Sequence, residues 1–220
     1  MESDFWHQRW SENQIGFHQE KINSRLVKLW PKIALQCGDK VFVPLCGKSK
    51  DMLWLAAQTH SVLGVELSPI ACREFFEDNG IKYLISHEAK FEVFRGDTDT
   101  IELWSGDFFE LSVEHLSNVA GVYDRASLIA LPPSMREKYV AHLGSILKSR
   151  TKVLLIAMEY DEHKMKGPPF SVSEEEVRTL FDKDFTLEQI SESSGPDIVG
   201  NLKQRGLDTL TEKIFLLERR

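Results

Sequence analysis

The residues that could do chemistry lie where apolar runs of this sequence end. Glu66 closes the run that begins at residue 61, and it stands 21 residues after Leu45, which ends the earlier run 41–45. In nucleotide-binding α/β folds, an acidic side chain at this spacing accepts hydrogen bonds from ribose hydroxyls. A carboxylate at a strand end can also be merely exposed to solvent, so the pattern leaves both interpretations of Glu66 open.

The turn after residues 41–45 narrows the choice of ligand. It contains Gly47-Lys48-Ser49, but a phosphate-binding P-loop also needs a glycine five residues before Gly47, where this chain has Phe42. Gly47 is also the only glycine of the turn, whereas the pyrophosphate of a dinucleotide needs several. Together with Glu66, this turn predicts a ribose without a pyrophosphate, as in S-adenosylmethionine.

Two further strand ends carry candidate binding residues. Asp107 could accept a hydrogen bond from an adenine amino group while the ring of Phe108 covers the base. The same pair could instead be a solvated turn aspartate beside a core phenylalanine. Arg125 could form a weak ion pair with Asp124, or its guanidinium could hold a carboxylate or another anion in a pocket.

Strand patterns and helix patterns alternate along the chain, which predicts parallel βαβ units. One helix pattern covers residues 51–58. Another covers residues 70–79, with Ser68 as its N-cap, Pro69 at the first helical position and Gly80 as its stop. The later strand candidates favour a hairpin and then an antiparallel pair at the edge of the sheet. We therefore expect one α/β domain over residues 1–220, a doubly wound fold with a seven-stranded, mostly parallel sheet and one antiparallel edge strand. The strand candidates number eight, one more than this sheet holds; they are residues 41–45, 61–67, 91–95, 101–104, 119–123, 153–158, 185–191 and 213–218.

The residues before the first strand place aromatic side chains among polar ones. Trp6 and Trp10 are one helical turn apart, with Phe5 and Phe17 on either side. These residues could form a helix laid over the sheet edge. Alternatively, residues 1–30 could be a helical lid whose aromatic face closes a ligand pocket.

Composition and charge exclude several classes of protein. The 220 residues carry 27 Lys and Arg against 34 Asp and Glu, a net charge of −7, without a basic run for nucleic acid. The longest apolar runs have six residues, too short to cross a membrane, and the N-terminus does not resemble a signal peptide. We therefore expect a cytoplasmic protein, a monomer by default, that binds neither nucleic acid nor membrane.

Cysteine and histidine usage argues against a metal. Cys37, Cys46 and Cys72 include no close pair, so a Cys-x-x-Cys metal knuckle and a disulfide framework are both disfavoured. His87-Glu88 lacks the second histidine of a His-Glu-x-x-His motif. We expect no metal.

Several motifs taken together resemble those of the thiopurine S-methyltransferase family. The similarity extends from Trp6 to about Leu217, and the first-turn motif is far more specific than a generic glycine-rich loop. The matching motifs are Trp6-x-x-x-Trp10, Phe17-His18-Gln19-Glu20, Val43-Pro44-Leu45-Cys46-Gly47-Lys48, Gly64-Val65-Glu66, Tyr123-Asp124-Arg125 and Gly167-Pro168-Pro169-Phe170.

This resemblance implies a class I S-adenosylmethionine-dependent methyltransferase that methylates the sulfur of aromatic and heterocyclic thiols such as thiopurines, releasing S-adenosylhomocysteine. Phe17 matches a family aromatic near the thiol substrate, and Arg125 is the candidate for electrostatic positioning in catalysis. The positions that match cofactor-contacting residues of the family are Trp10, Leu45, Glu66 and Arg125, with Asp107 and Phe108 as its adenine-side pair.

Other functions remain open on the sequence alone. An oxidoreductase would need to bind a dinucleotide without the glycine fingerprint. A non-catalytic S-adenosylmethionine-binding protein could sequester thiols, and a differently directed enzyme could methylate selenium or tellurium compounds.

Overall fold

The computed structural model describes residues 3–220, in two compact units. The first unit ends at Tyr123, and the second runs from Asp124 to Arg220. This division does not decide whether the chain folds as one domain, so the single domain over residues 1–220 stays a prediction. Residues 1 and 2 of the predicted lid lie outside the described residues.

The first unit combines parallel strands with an antiparallel hairpin. Its strands lie in the order β3-β4-β5-β2-β1-β6, where β1 pairs in parallel with β2 and β6, and β2 with β5. Its strands are β1 (Lys40–Val43), β2 (Ser61–Glu66), β3 (Tyr83–Glu88), β4 (Phe91–Gly96), β5 (Ile101–Ser105) and β6 (Val119–Asp124), whose last residue opens the second unit. Its helices are α1 (Ser3–Ser11), α2 (Ser24–Leu29), α3 (Asp51–Ala57) and α4 (Pro69–Asp78), with short 3-10 helices at Trp30–Ile33 and Phe108–Glu110.

The second unit is built on three antiparallel strands. The strand β9 lies between β7 and β8 and is antiparallel to both. Its strands are β7 (Lys152–Glu159), β8 (Phe185–Gly195) and β9 (Leu210–Arg219). Its helices are α5 (Ser127–Ala130), α6 (Pro133–Ile146) and α7 (Glu174–Phe181), with short 3-10 helices at Pro196–Ile198 and Gly200–Arg205.

The number and direction of the strands differ from the prediction. Residues 3–220 hold nine strands rather than seven, and both β4 and β9 are antiparallel to their neighbours, so one antiparallel edge strand is too few. The predicted hairpin of β4 and β5 is confirmed. The sequence does not reveal β3, because most side chains of this edge strand are exposed; Leu84 is 78% exposed. Without a buried face, a strand leaves no regular apolar alternation.

Helix α4 begins and ends where the sequence predicts. Ser68 caps it, because the Ser68 hydroxyl accepts a hydrogen bond from the N–H of Ala71 at 3.5 Å, and Pro69 is its first residue. The chain leaves the helix at Gly80 with φ of +65°, a conformation that favours glycine. The N-terminus of α4 is thereby fixed directly after the end of β2.

The core of the first unit is tightly packed where β2 passes the turn after β1. A Cβ atom on Gly64 would lie 2.6 Å from Cδ2 of Leu103 and 2.7 Å from Sγ of Cys46. Both neighbours are buried, so neither has room to withdraw in a close-packed interior. Glycine at this position therefore allows the Cys46 side chain to lie against β2.

We expect Gly64→Ala to lower the free energy of unfolding by about 1–3 kcal/mol, the usual effect of overpacking a core. Denaturant titration measures the change. Gly16→Ala is the matched control, because no atom lies within 4 Å of its added Cβ. Equal stability of the two variants would contradict the close approach of β2 and the turn.

Candidate active site

The carboxylate of Glu66 joins the first turn to the start of α4. Its Oε2 accepts a hydrogen bond from the N–H of Gly47 at 2.9 Å, and its Oε1 accepts one from the N–H of Ser68 at 2.9 Å. The residue is only 7% exposed. A carboxylate has about four acceptor positions, so Glu66 retains acceptor capacity for a ligand hydroxyl.

The environment of Glu66 acts on its charge in two opposite ways. Burial raises the pKa of the Glu66 carboxyl, while hydrogen bonds from the backbone N–H groups of Ser68, Gly47 and Leu67 lower it. Burial prevails, and the pKa lies above the ordinary value of a glutamate. The site therefore holds a carboxylate with incomplete solvation, which gains from further hydrogen-bond donors.

The first turn has an unusual backbone that β2 holds in place. Leu45 has φ of +47° and Gly47 has φ of +52°; the left-handed conformation is uncommon for a residue other than glycine. The N–H of Cys46 donates to the carbonyl of Val65 at 2.9 Å. Together with the bond from Gly47 to Glu66, this contact fixes the turn against the end of β2.

Lys48 forms ion pairs with two carboxylates of α4, so its charge is already paired. Its Nζ lies 2.8 Å from a carboxylate oxygen of Glu74 and 2.9 Å from one of Asp78. Burial opposes the lysine charge, but these two carboxylates outweigh it and raise the pKa of Lys48. This arrangement agrees with the absence of a P-loop pattern from the sequence.

Aromatic side chains of the N-terminal segment cover the first turn. Trp10 in α1 is buried, and its Cζ2 would lie 3.4 Å from a Cβ atom on Gly47. The ring of Phe17 meets that of Trp10 edge-to-face at 5.7 Å between centroids, and Trp6 meets Phe17 in the same way at 5.5 Å. Phe17 is nevertheless 42% exposed, so one part of its ring remains available to a ligand.

Asp107 and Phe108 lie beside the end of β2 but have structural contacts of their own. The N–H of Gly106 donates to the carbonyl of Glu66 at 2.9 Å. Asp107 caps the following 3-10 helix by accepting from the N–H of Phe109 at 2.9 Å. The ring of Phe108 is buried and stacked on that of Phe42 at 6.4 Å. Contact of either side chain with adenine stays a prediction.

Arg125 lies in the second unit, directly after the end of β6. Its neighbour Asp124 is fully buried and accepts hydrogen bonds from the hydroxyl of Tyr139 at 2.6 Å and from the N–H of Ser127 at 3.1 Å. Burial raises the pKa of Asp124. These contacts give Asp124 a role in the fold of its own unit, and the functional role of Arg125 stays a prediction.

Comparison with known proteins decides the family. The model of the family described as thiopurine S-methyltransferase matches residues 1–220. Thiopurine S-methyltransferase of Pseudomonas entomophila is 46% identical over 222 residues, covering 100% of both chains. Thiopurine S-methyltransferase of Marinobacter nauticus is 44% identical over 218 residues, covering 99% of both chains.

The chain belongs to the thiopurine S-methyltransferase family. It is an S-adenosylmethionine-dependent methyltransferase, so both the resemblance and the enzyme class inferred from the sequence are confirmed.

Solved structures confirm the fold class of this family member. A SAM-dependent methyltransferase from Anabaena variabilis is similar at a TM-score of 0.65 and 17% identity, covering 99% of this chain and 95% of that chain. The 1,6-didemethyltoxoflavin-N1-methyltransferase of Burkholderia thailandensis is similar at 0.64 and 14% identity, covering 99% and 86%. At these low identities, the similarity to both structures shows a common fold and nothing further.

The structure brings six of the predicted residues of this methyltransferase to one end of the first unit, with Phe17 joined through its contact with Trp10. Trp10 contacts the turn that Leu45 opens, and that turn is bound to Glu66, whose backbone is in turn bound to the residue before Asp107 and Phe108. The sequence pattern did not show the backbone N–H donors that hold Glu66. The Ser68-Pro69 cap was their only local signal, because it places a helix N-terminus beside the carboxylate.

Two general features complete the description of residues 3–220. Within this range, no three His, Cys, Asp or Glu side chains are grouped so that they could hold a metal ion. Nor does any helix of the same range have the length and apolar character needed to cross a membrane.

The raised pKa of Glu66 predicts how stability depends on pH. The fold favours the protonated carboxyl of Glu66. The stability that this group contributes is therefore fully present below the ordinary glutamate pKa of about 4.3, and it is lost as the pH rises through the raised pKa. We expect the free energy of unfolding of the unliganded wild type, relative to Glu66→Gln, to fall as the pH rises from 4. Denaturant titrations of both proteins at pH values from 4 upward measure this difference in stability. A difference that grows with pH would contradict the burial of this charge.

Proposed function

We propose that this enzyme transfers the methyl group of S-adenosylmethionine to the sulfur of aromatic and heterocyclic thiols, thiopurines among them. The observation that carries the proposal is the identity of 43–46% over nearly the whole chain with relatives named thiopurine S-methyltransferase. Its partner is then a small-molecule thiol.

The end of β2 fits a nucleoside that carries no phosphate. When bound, S-adenosylmethionine supplies a methyl group on a positively charged sulfur, which an acceptor sulfur takes by direct in-line displacement. Glu66 would accept hydrogen bonds from the ribose hydroxyls with the acceptor capacity that its backbone donors leave open. Lys48 is paired with carboxylates of α4, so the turn offers no free lysine to a phosphate.

The aromatic residues of the N-terminal segment would exclude water from the reacting groups. Trp10 is packed against the first turn and would cover the cofactor, as its match to the family's cofactor residues suggests. Phe17 is joined to Trp10 by an edge-to-face contact yet partly exposed, so its free part would meet the flat ring of the thiol. Holding two reactants in the geometry of attack can supply about 7–11 kcal/mol.

The remaining family matches have electrostatic and positioning roles in this proposal. Arg125 would hold the carboxylate of the cofactor or the developing anion of the substrate, because a guanidinium binds carboxylates in a bidentate manner. Asp107 and Phe108 would lie on the adenine side of the cofactor.

The chain does not need to supply a base or a covalent nucleophile. Aromatic thiols and thiopurines are acidic enough to provide thiolate near neutral pH. The one cysteine in the first turn, Cys46, is buried, and its burial raises the pKa of the thiol well above the ordinary value. Since the thiolate is the nucleophilic form of cysteine, Cys46 is better explained as part of the packing under β2.

We expect the purified enzyme to transfer labelled methyl from S-adenosylmethionine to the sulfur of 6-mercaptopurine. Chromatography of the products against a reaction without enzyme measures the transfer. Binding of the cofactor without product from this or any other aromatic thiol would contradict the proposed acceptor. It would favour methylation of another acceptor, or sequestration of thiols.

We expect Glu66→Ala to weaken binding of S-adenosylhomocysteine at least about tenfold, because hydrogen bonds to a charged group are worth roughly 1.5–3 kcal/mol. Isothermal calorimetry measures the affinity. Glu88→Ala, which removes an exposed carboxylate from edge strand β3, is the matched control and should bind as the wild type does. Unchanged affinity in Glu66→Ala would remove Glu66 from the cofactor site.

A further inference from the structure

One segment of the second unit has its backbone carbonyls bound by side chains instead of by other backbone groups. The segment is residues 166–171, which contains two consecutive prolines and therefore lacks two of the N–H groups that a regular ladder requires. Four of its six carbonyls accept from side chains: Lys166 at 3.1 Å and Pro168 at 2.6 Å from Arg205, Pro169 at 2.6 Å from Tyr160, and Ser171 at 3.1 Å from Arg136.

Two arginines hold this segment from different parts of the chain, and they differ in burial. Arg136 in α6 is 1% exposed and also binds the carboxylate of Glu176, so its loss would leave several buried groups without partners. Arg205 is exposed, and both of its terminal nitrogens donate to segment 166–171. Arg136 is therefore a structural residue of the fold, whereas Arg205 binds the segment from its solvent-exposed side.

Arg205 is itself placed by a short helix and a small apolar cluster. It ends the 3-10 helix Gly200–Arg205, and the chain then turns at Gly206 with φ of +95°. An apolar cluster lies between this helix and segment 166–171 and keeps the two together. Its buried members are Tyr160, Met165, Val199, Leu207 and Leu210.

Both segments lie at the carboxyl end of β7. Segment 166–171 follows that strand, and Arg205 precedes β9, which pairs with β7 so that Glu159 faces Thr211. In doubly wound folds, ligands bind outside the carboxyl ends of the strands. Because side chains bind four of its six carbonyls, segment 166–171 offers a ligand a surface of fixed shape at this end.

We propose that Arg205 is a positioning residue of the methyl-transfer reaction, acting through segment 166–171. Its guanidinium fixes the outer side of the segment, so that the Pro168-Pro169-Phe170 surface is formed before the acceptor binds. This inference rests on the proposed thiol acceptor only for the choice of substrate in its kinetic test. Preformation lowers the ordering cost of binding, so the loss of Arg205 acts on the acceptor and leaves the affinity for the cofactor unchanged.

The experiment compares Arg205→Ala and Arg205→Lys with the wild type. We expect Arg205→Ala to raise the KM for 6-mercaptopurine about tenfold, with the affinity for S-adenosylhomocysteine and the Tm close to those of the wild type. Arg205→Lys should give an intermediate KM, because one ammonium cannot reproduce a fork that reaches two carbonyls. Lys164→Ala is the matched control. It breaks an exposed ion pair with Asp208 beside the same apolar cluster and should leave the KM unchanged.

Hydrogen exchange supplies a readout that does not depend on the acceptor. The amides of segment 166–171 should exchange faster in Arg205→Ala than in the wild type and in Lys164→Ala. Unchanged exchange, or an unchanged KM in an enzyme that methylates the thiol, would overturn the proposal. A rise in KM that comes together with losses of cofactor affinity and Tm would also overturn it, because it would show a purely structural role. If the wild type does not methylate thiols, the proposed function fails while the exchange experiment still tests Arg205.

Discussion

A buried carboxylate needs hydrogen-bond donors, and the first unit gives Glu66 backbone N–H groups in that role. Its oxygens accept from the N–H groups of Gly47 and Ser68, so one side chain fixes both the turn after β1 and the start of α4. The left-handed conformation of Leu45 and the absence of a side chain at Gly64 both serve this arrangement. The same carboxylate retains acceptor positions, so the group that organises the fold is also the one that can recognise a ribose.

Much of the first unit is predictable because its signals are local. The apolar run and helical pattern around β1 and α3, the Ser68-Pro69 cap and the spacing from Leu45 to Glu66 each depend on a few neighbouring residues. The exclusion of a dinucleotide is equally local, because the turn after β1 has one glycine where a dinucleotide needs several. Recognition of the family depended on motifs spread from Trp6 to Phe170, and the comparisons confirm it.

Other features could not be predicted because they depend on contacts distant in sequence or on exposed strands. The edge strand β3 buries too few side chains to leave a pattern, and β8 extends beyond its predicted range through polar residues and a glycine. The bonds from Arg205 to Lys166 and Pro168 cross 39 and 37 positions of the chain. An arginine in a polar stretch carries no sequence signal for such a partner.

In the proposed mechanism, the Glu66 carboxylate serves the fold and the cofactor at the same time. A crystal structure of the enzyme with S-adenosylhomocysteine tests this most directly. We expect both ribose hydroxyls to donate to Glu66 while the bonds from Gly47 and Ser68 remain. A ribose bound away from Glu66, or a carboxylate that releases the turn in order to bind the ribose, would contradict this double role of Glu66.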